Sequence, residues 1–326
     1  MDRDDVVTVL AESVLSTDWH FLHYHFAAYS EGYEHFLCAS IADACLSVEG
    51  KIPGFAANFA EKLASISGKK MYARHYEHII QLIAELYVIN FIVSIGLKDA
   101  KYIHEPTAAG SKKNPEIGVI LPDKKMFVEV KCREFVSHHN SRGQASIELP
   151  ARMEGIRELA ETLIQSDEKI VLPRDNVVKD FLISANEKFH SFKQESPDAI
   201  TILVIVWDDF IYEPITALLN QSSGLLTDNS FFRNGDGPAK FENINAVILI
   251  RQSHQIVRAT RDQLPTDGLM HPLDWGNFGT VLPKAYVPVN STETVDRYLC
   301  EILRATHISE LADAADYRPQ ELVLRV

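Results

Sequence analysis

Nine consecutive residues, Ala199 to Trp207 (Ala-Ile-Thr-Ile-Leu-Val-Ile-Val-Trp), constrain the fold of this chain more than any other stretch. A strand with one wet face alternates apolar and polar residues, whereas this run is apolar throughout except for Thr201. A continuous run of this length is the signature of a strand buried on both faces. Layers must therefore cover both sides of it, and helices against a sheet are the arrangement that does so.

The rest of the chain supplies those layers. Helix-like apolar spacing covers Val6 to Leu15, His20 to Tyr29, Tyr33 to Val48 and Ala56 to Ile66, with breaks near Gly32 and at Pro53-Gly54. A long helix is expected from about Tyr72 to Ile95, ending at Gly96, and is followed by strands at Lys101 to Glu105, Glu116 to Leu121 and Met126 to Cys132. Pro122-Asp123-Lys124-Lys125 forms a tight turn between the last two, which makes them a hairpin. Helical patterns then cover Ala151 to Gln165 and Asn176 to Phe192, ahead of the apolar strand. A further strand is expected at Ala246 to Ile250, a helix at Thr292 to Ala305 and a last strand at Glu321 to Val326. The region after Pro265 reads as irregular up to that helix. The order of core elements is thus helix, three strands, helix, strand: an α/β class fold with one sheet.

Charge and cysteines narrow the setting. A formal net charge of −13 argues against a general polyanion binder. Residues 101–158 depart from the acidic trend, with ten Lys and Arg against eight Asp and Glu, while the remainder carries 22 against 37. The four cysteines, Cys38, Cys45, Cys132 and Cys300, form no Cys-x-x-Cys pair, and the acidic start Met1-Asp2-Arg3-Asp4-Asp5 is unlike a targeting segment. A cytoplasmic protein is expected. Between Ile79 and Leu97 the only charged residue is Glu85, which approaches the composition of a membrane span. Gln81, Glu85, Asn90 and Ser94 interrupt that run, so a buried core helix is the better reading and no membrane association is expected.

The chemistry gathers in the expected third strand. Glu129 and Lys131 are two residues apart, so they share one face while Val128, Val130 and Cys132 take the other. Unlike charges on an interior strand cost desolvation that stability alone does not explain. Glu116 follows Asn114-Pro115 at the mouth of the preceding strand, so the hairpin brings it towards Glu129. Glu85 adds a third carboxylate from the helix just before the sheet. Carboxylates held close repel one another unless a hard cation lies between them, and Mg²⁺ takes one or two carboxylates with water and phosphate oxygens.

A helix glutamate, a Pro-carboxylate on one strand and Glu-x-Lys on the next resemble the PD-(D/E)xK nuclease superfamily, with its restriction-endonuclease-like αβββαβ core. The resemblance covers roughly Tyr72 to Trp207, and Glu116 stands where the family has Asp. It implies a mixed central sheet flanked by helices. Residues 1–66 would form an N-terminal helical extension and 67–326 the nuclease-like domain with a C-terminal extension. It also implies Mg²⁺-dependent hydrolysis of phosphodiester bonds in nucleic acid, DNA ahead of RNA, with Mn²⁺ able to substitute. Glu85, Glu116 and Glu129 take the place of the metal ligands, and Lys131 the lysine that assists the attacking water. The resemblance further points to prokaryotic defence or mobile-element systems and to a homodimer, and the acidic body around a less acidic site suggests restricted substrate entry or a protein partner. A second reading keeps the same fold as a catalytically inactive binding or assembly module whose charges serve structure.

Other polar residues are weaker candidates. Arg133, Arg142 and Gln144 follow the site strand, and Lys112, Lys113, Lys124 and Lys125 flank it, where they could hold phosphate or keep a turn solvated. His20, His23, His25 and His35 do not all share a helix face, and no cysteine completes a zinc set with them. His75 and His78 on the long helix read as core or surface residues, and His138-His139 as loop residues. Asp208-Asp209 fit a helix N-cap ahead of Ile211 to Leu219. Cys132 is expected in the core. No Walker-type loop, Gly-x-Gly-x-x-Gly or Gly-x-Ser-x-Gly occurs, so nucleotide-driven and serine-hydrolase readings have no support.

Overall fold

A computed structural model describes residues 1–30, 32–66, 72–109, 113–134, 146–148, 162, 169–171, 175–208, 211–235, 237–276 and 284–311. The expected strand at Glu321 to Val326 lies outside the described residues, as do Lys112, His138, His139, Arg142, Gln144 and Asp209, and all of the expected helix at Ala151 to Gln165 but residue 162.

Four helices open the chain: α1 (Arg3–Leu15), α2 (His23–Ser30), α3 (Phe36–Glu49) and α4 (Phe55–Ser65). Asp2 caps α1 in a reciprocal box with Asp5, which satisfies two backbone donors that the first turn leaves open. Next comes α5 (Tyr72–Ser94), then β1 (Lys101–His104), β2 (Ile117–Ile120) and β3 (Lys125–Cys132). Short pieces β4 (Ser146–Glu148) and β5 (Lys169–Val171) pair with each other. The chain continues through α6 (Asp175–Glu195), β6 (Ile200–Trp207) and α7 (Tyr212–Leu219), then a small ribbon, β7 (Arg233–Asn234) with β8 (Gly237–Pro238). The described residues close with β9 (Ala246–Arg251), α8 (Ser253–Ala259), β10 (Ala285–Pro288), α9 (Glu293–Leu303), β11 (Thr306–His307) and a 3₁₀ turn at Ile308–Leu311.

A mixed seven-stranded sheet, ordered β1-β2-β3-β6-β9-β10-β11, is flanked by helices, so the chain is α/β. The pairs β1–β2, β2–β3 and β9–β10 are antiparallel, and β3–β6, β6–β9 and β10–β11 are parallel. Every residue of β6 is buried, as its unbroken apolar sequence requires.

Alternation along the strands divides the core in two. Val128, Val130 and Cys132 pack with Ile202, Val204 and Val206 against α5 and the N-terminal helices, and one apolar cluster runs from Val6 to Ala305. Phe127, Leu203, Ile205 and Trp207 face the other way, onto α6 and α7. The buried stripe of α6 is Val178, Leu182, Ala185, Phe189 and Phe192, a spacing of three and four that one helix face dictates. The helix Ala73–Ser94 is long and apolar enough to cross a membrane, yet 72% of its most apolar window is buried inside the protein.

Two strands are additions, β10 in the stretch that reads as irregular and β11 beyond the helix that follows it. β10 pairs along four residues with β9, and β11 pairs with β10. The helix expected at Thr292 to Ala305 holds as α9. The N-cap of α7 falls on Ile211 without a side-chain cap bond, so capping by Asp208 is corrected: Asp208 is a buried residue beyond the end of β6.

Gly118 in β2 sets how closely the hairpin seats. A Cβ there would lie 3.1 Å from Pro106 Cγ and 3.2 Å from the Phe127 ring, which itself packs on Phe192 at 4.5 Å between centroids. Gly118→Ala is expected to cost about 1–2 kcal/mol through overpacking. Urea unfolding reads this, and an unchanged midpoint would mean the hairpin yields without strain.

Candidate active site

Strand lengths open a notch in the sheet. β2 pairs with β3 only over Lys125–Val128, the last rung being Ile117 with Val128, whereas β6 pairs with β3 as far as Cys132. Glu129 and Lys131 therefore extend past the start of β2, and Glu116 lies directly before that start, its amide donating to Val128 O at 3.0 Å. The hairpin register thus brings Glu116 and Glu129 together. Glu105 closes the rim, its amide donating to Glu116 O and its carboxylate pairing with Lys62 of α4 at 2.6 Å.

Glu129 is fully buried, on the strand face that α6 covers. Two ammonium groups meet it. Lys131 Nζ is 2.7 Å from Oε1, and Lys188 Nζ, from α6, is 2.7 Å from Oε1 and donates to Oε2 at 2.9 Å. Lys188 also lies 3.8 Å from Glu116 Oε1 and so bridges the two glutamates. Oε1 of Glu129 is buried and receives no hydrogen bond of good geometry despite both ammonium neighbours.

Glu85 joins the set from α5. Gln81, one turn earlier, donates to Cys132 O at 3.4 Å, which fixes that part of the helix over the end of β3. Burial pushes the Glu85 carboxyl up to about 7, opposed by Lys62 and reinforced by repulsion from Glu129. Burial likewise pushes Glu116 up to about 8, with further repulsion from Glu85 and then Glu129. Burial lowers Lys188, but attraction from Glu129 and Glu116 outweighs it and the net direction is upward. Glu85, Glu116, Glu129 and Lys131 therefore belong to one electrostatic cluster, with Lys62 and Lys188 as added cations.

The donor chemistry fits a hard cation: Glu116 and Glu129 already share one positive group, and Mg²⁺ needs only one or two carboxylates beside water. Among the described residues, no set of three or more His, Cys, Asp or Glu side chains is arranged to hold a metal ion. Two glutamates clamped on a lysine is the arrangement seen.

Sequence reasoning missed Lys188 and Lys62. Lys188 follows the buried stripe of α6 by position, next to Phe189, and in the sequence it is indistinguishable from the charged residues of the outer face. Lys62 carries no local signal either; only the packing of α4 brings it to the rim.

The weaker candidates fall elsewhere. Cys132 faces the core opposite Glu129, and burial drives its thiol up to about 12, which makes it inert. His75 is buried beside Trp19 and His20, 4.7 Å from each between ring centroids. His20, His25 and His35 form a buried cluster in which burial pushes all three below the ordinary range, His20 to about 4. Lys113 pairs with Glu187, Lys124 lies over the Tyr298 ring, and Lys125 donates to Ser196. Arg133 packs over the Trp207 ring. No protein-family model, curated protein or solved structure matches this chain.

Proposed function

We propose that the chain is a Mg²⁺-dependent nuclease with a restriction-endonuclease-like core, in which Glu116 and Glu129, with Glu85 beside them, would hold the cation and Lys131 is catalytic. The observation that supports this most is the convergence of Glu116, Glu129 and Lys131 at the notch where β2 ends and β3 continues. A glutamate and a lysine on an interior strand, with a second buried glutamate beside them, are costly to bury for stability alone, and a hydrolytic site gives them a use.

Mg²⁺, or Mn²⁺ in its place, supplies the charge that polarises phosphate and lowers the pKa of bound water. Glu116 and Glu129 would hold the ion, with Glu85 adding negative potential from α5. Lys131 is partly exposed and in contact with Glu129, so its ammonium reaches a phosphate oxygen or the attacking water while Glu129 fixes its position. There it stabilises the negative charge that builds as water adds to phosphorus and the P–O bond to the leaving sugar breaks. The acidic body around a less acidic segment suits selective entry of one nucleic-acid strand or end, DNA before RNA, or delivery by a protein partner. A cytoplasmic setting in a prokaryotic defence or mobile-element system, with action as a homodimer, belongs to the same proposal.

A second reading, a catalytically inactive module, is favoured by Lys188, whose pairing with both glutamates lets the cluster balance its own charge. Substrate trials separate the two. Plasmid, linear and single-stranded DNA and RNA are each incubated with Mg²⁺, Mn²⁺ or EDTA. The nuclease reading predicts cleavage with either metal, DNA favoured, and none in EDTA. Intact polynucleotides under every condition would favour the inactive module.

A further inference from the structure

We propose that Lys188 occupies the cation seat between Glu116 and Glu129 in the metal-free chain, and that a divalent ion loads only by displacing it. This rests on the nuclease reading for its purpose, but its geometry stands separately. The ammonium lies 2.7 Å from Glu129 Oε1, 2.9 Å from Oε2 and 3.8 Å from Glu116 Oε1, so a single positive centre is already shared by both side chains. A small hard ion needs oxygen ligands at about 2.0–2.1 Å, so it would compete with the ammonium for the same oxygens.

Displacement is feasible for a lysine. Its charge ends a flexible four-carbon stem, and the Lys188 side chain is 16% exposed, so the ammonium has a way to water without moving α6. Ala185 and Phe189 anchor the helix on either side in the buried stripe. Lys131 is placed differently: it meets Glu129 from the same strand, two residues on, and belongs to the notch itself. The two lysines therefore have separate tasks. Lys131 acts in the loaded site, and Lys188 keeps the glutamates together until loading and raises the metal concentration that loading needs. Once displaced, its ammonium remains beside the seat, where a substrate phosphate would meet it.

Mn²⁺ binding to the full chain tests this without reference to activity. Lys188→Met removes the charge and keeps most of the stem. Calorimetric titration is expected to show Mn²⁺ binding at least about 10-fold tighter than in the wild type, with Glu129→Gln abolishing it in both backgrounds. In EDTA the Met variant should melt at a lower temperature than the wild type, and saturating Mn²⁺ should close that gap. Unchanged or weaker Mn²⁺ affinity in the variant, or no binding by either protein, would overturn the proposal. Wild-type protein gives an independent reading should the variant not fold. Reductive methylation followed by peptide mapping should modify Lys188 several-fold faster with Mn²⁺ than with EDTA, and equal rates would overturn the displacement. Tighter binding and faster labelling with no cleavage of any polynucleotide would keep this inference and remove the nuclease reading. Cleavage by the wild type with neither effect would do the opposite.

Discussion

Glu129→Gln is expected to lower Mg²⁺-supported cleavage by at least about 10³-fold while leaving the sheet assembled. The amide has nearly the shape of the carboxylate, so β3 keeps its packing between β2 and β6. What it loses is charge at a fully buried position contacted by two ammonium groups. A neutral amide is a poor ligand for a hard cation, and Lys131 loses the group that positions it. Both lysines retain partial access to water, so the stability cost should stay near 1–2 kcal/mol, below that of breaking a fully buried pair. Circular dichroism and urea unfolding check the fold, and cleavage is read on the same preparation. A Gln variant that cleaves at the wild-type rate would remove Glu129 from the site.

The second large effect concerns pH. Burial first, then repulsion among the carboxylates, pushes Glu116 up to about 8 and Glu85 up to about 7, from an ordinary value of 4.5. An acid whose pKa is higher folded than unfolded binds its proton more tightly in the folded chain. In that window the unfolded chain holds fewer protons, so stability falls as pH rises. The contribution is whole below about 4.5 and is lost as pH rises through 7 and 8. Glu116→Gln removes the titration and keeps the shape. In EDTA it should leave stability unchanged near pH 5 and raise it at pH 8.5 by on the order of 2 kcal/mol, read from urea midpoints. Metal demands the deprotonated carboxylates, so wild-type Mn²⁺ affinity should rise with pH across the same range, with protons released on binding. Stability of the wild type that climbs from pH 5 to 8.5 in EDTA would contradict both.

The two mutations probe features that differ in how far the sequence displays them. Glu129 and Lys131 share a face because strand side chains alternate, and their nearness follows from two residues of sequence. Glu116 needed only the tight turn at Pro122–Lys125 to bring it opposite, and the observed register does so. β6 announces itself through nine residues with only Thr201 to interrupt them. Long-range placement is another matter. Lys188 comes to Glu129 because α6 crosses the face of β3 and β6, a consequence of which way its stripe faces and where the helix lies, and no local pattern encodes that. Lys62 reaches the rim through the packing of α4 against the same core. β10 is hard to read from sequence because Pro283 and Pro288 punctuate it; the structure places Pro288 as its last residue, opposite Ala246, where a missing donor does little harm. Asp208-Asp209 resemble a helix cap in sequence because an acidic pair ahead of an apolar helix is the ordinary cap signal. The helix instead starts at Tyr212, with Ile211 at its N-cap and no side-chain cap bond.

The account stands most directly on Lys131. Wild type and Lys131→Ala, purified side by side, are given plasmid DNA with Mg²⁺, and Mn²⁺ binding is measured on the same samples. The account predicts that the wild type cleaves and that the variant binds Mn²⁺ with similar affinity yet cleaves at least about 10²-fold more slowly, since the lysine acts on water and phosphate and leaves the glutamates to hold the ion. Equal cleavage by the two proteins, or an intact plasmid with the wild type, would contradict it.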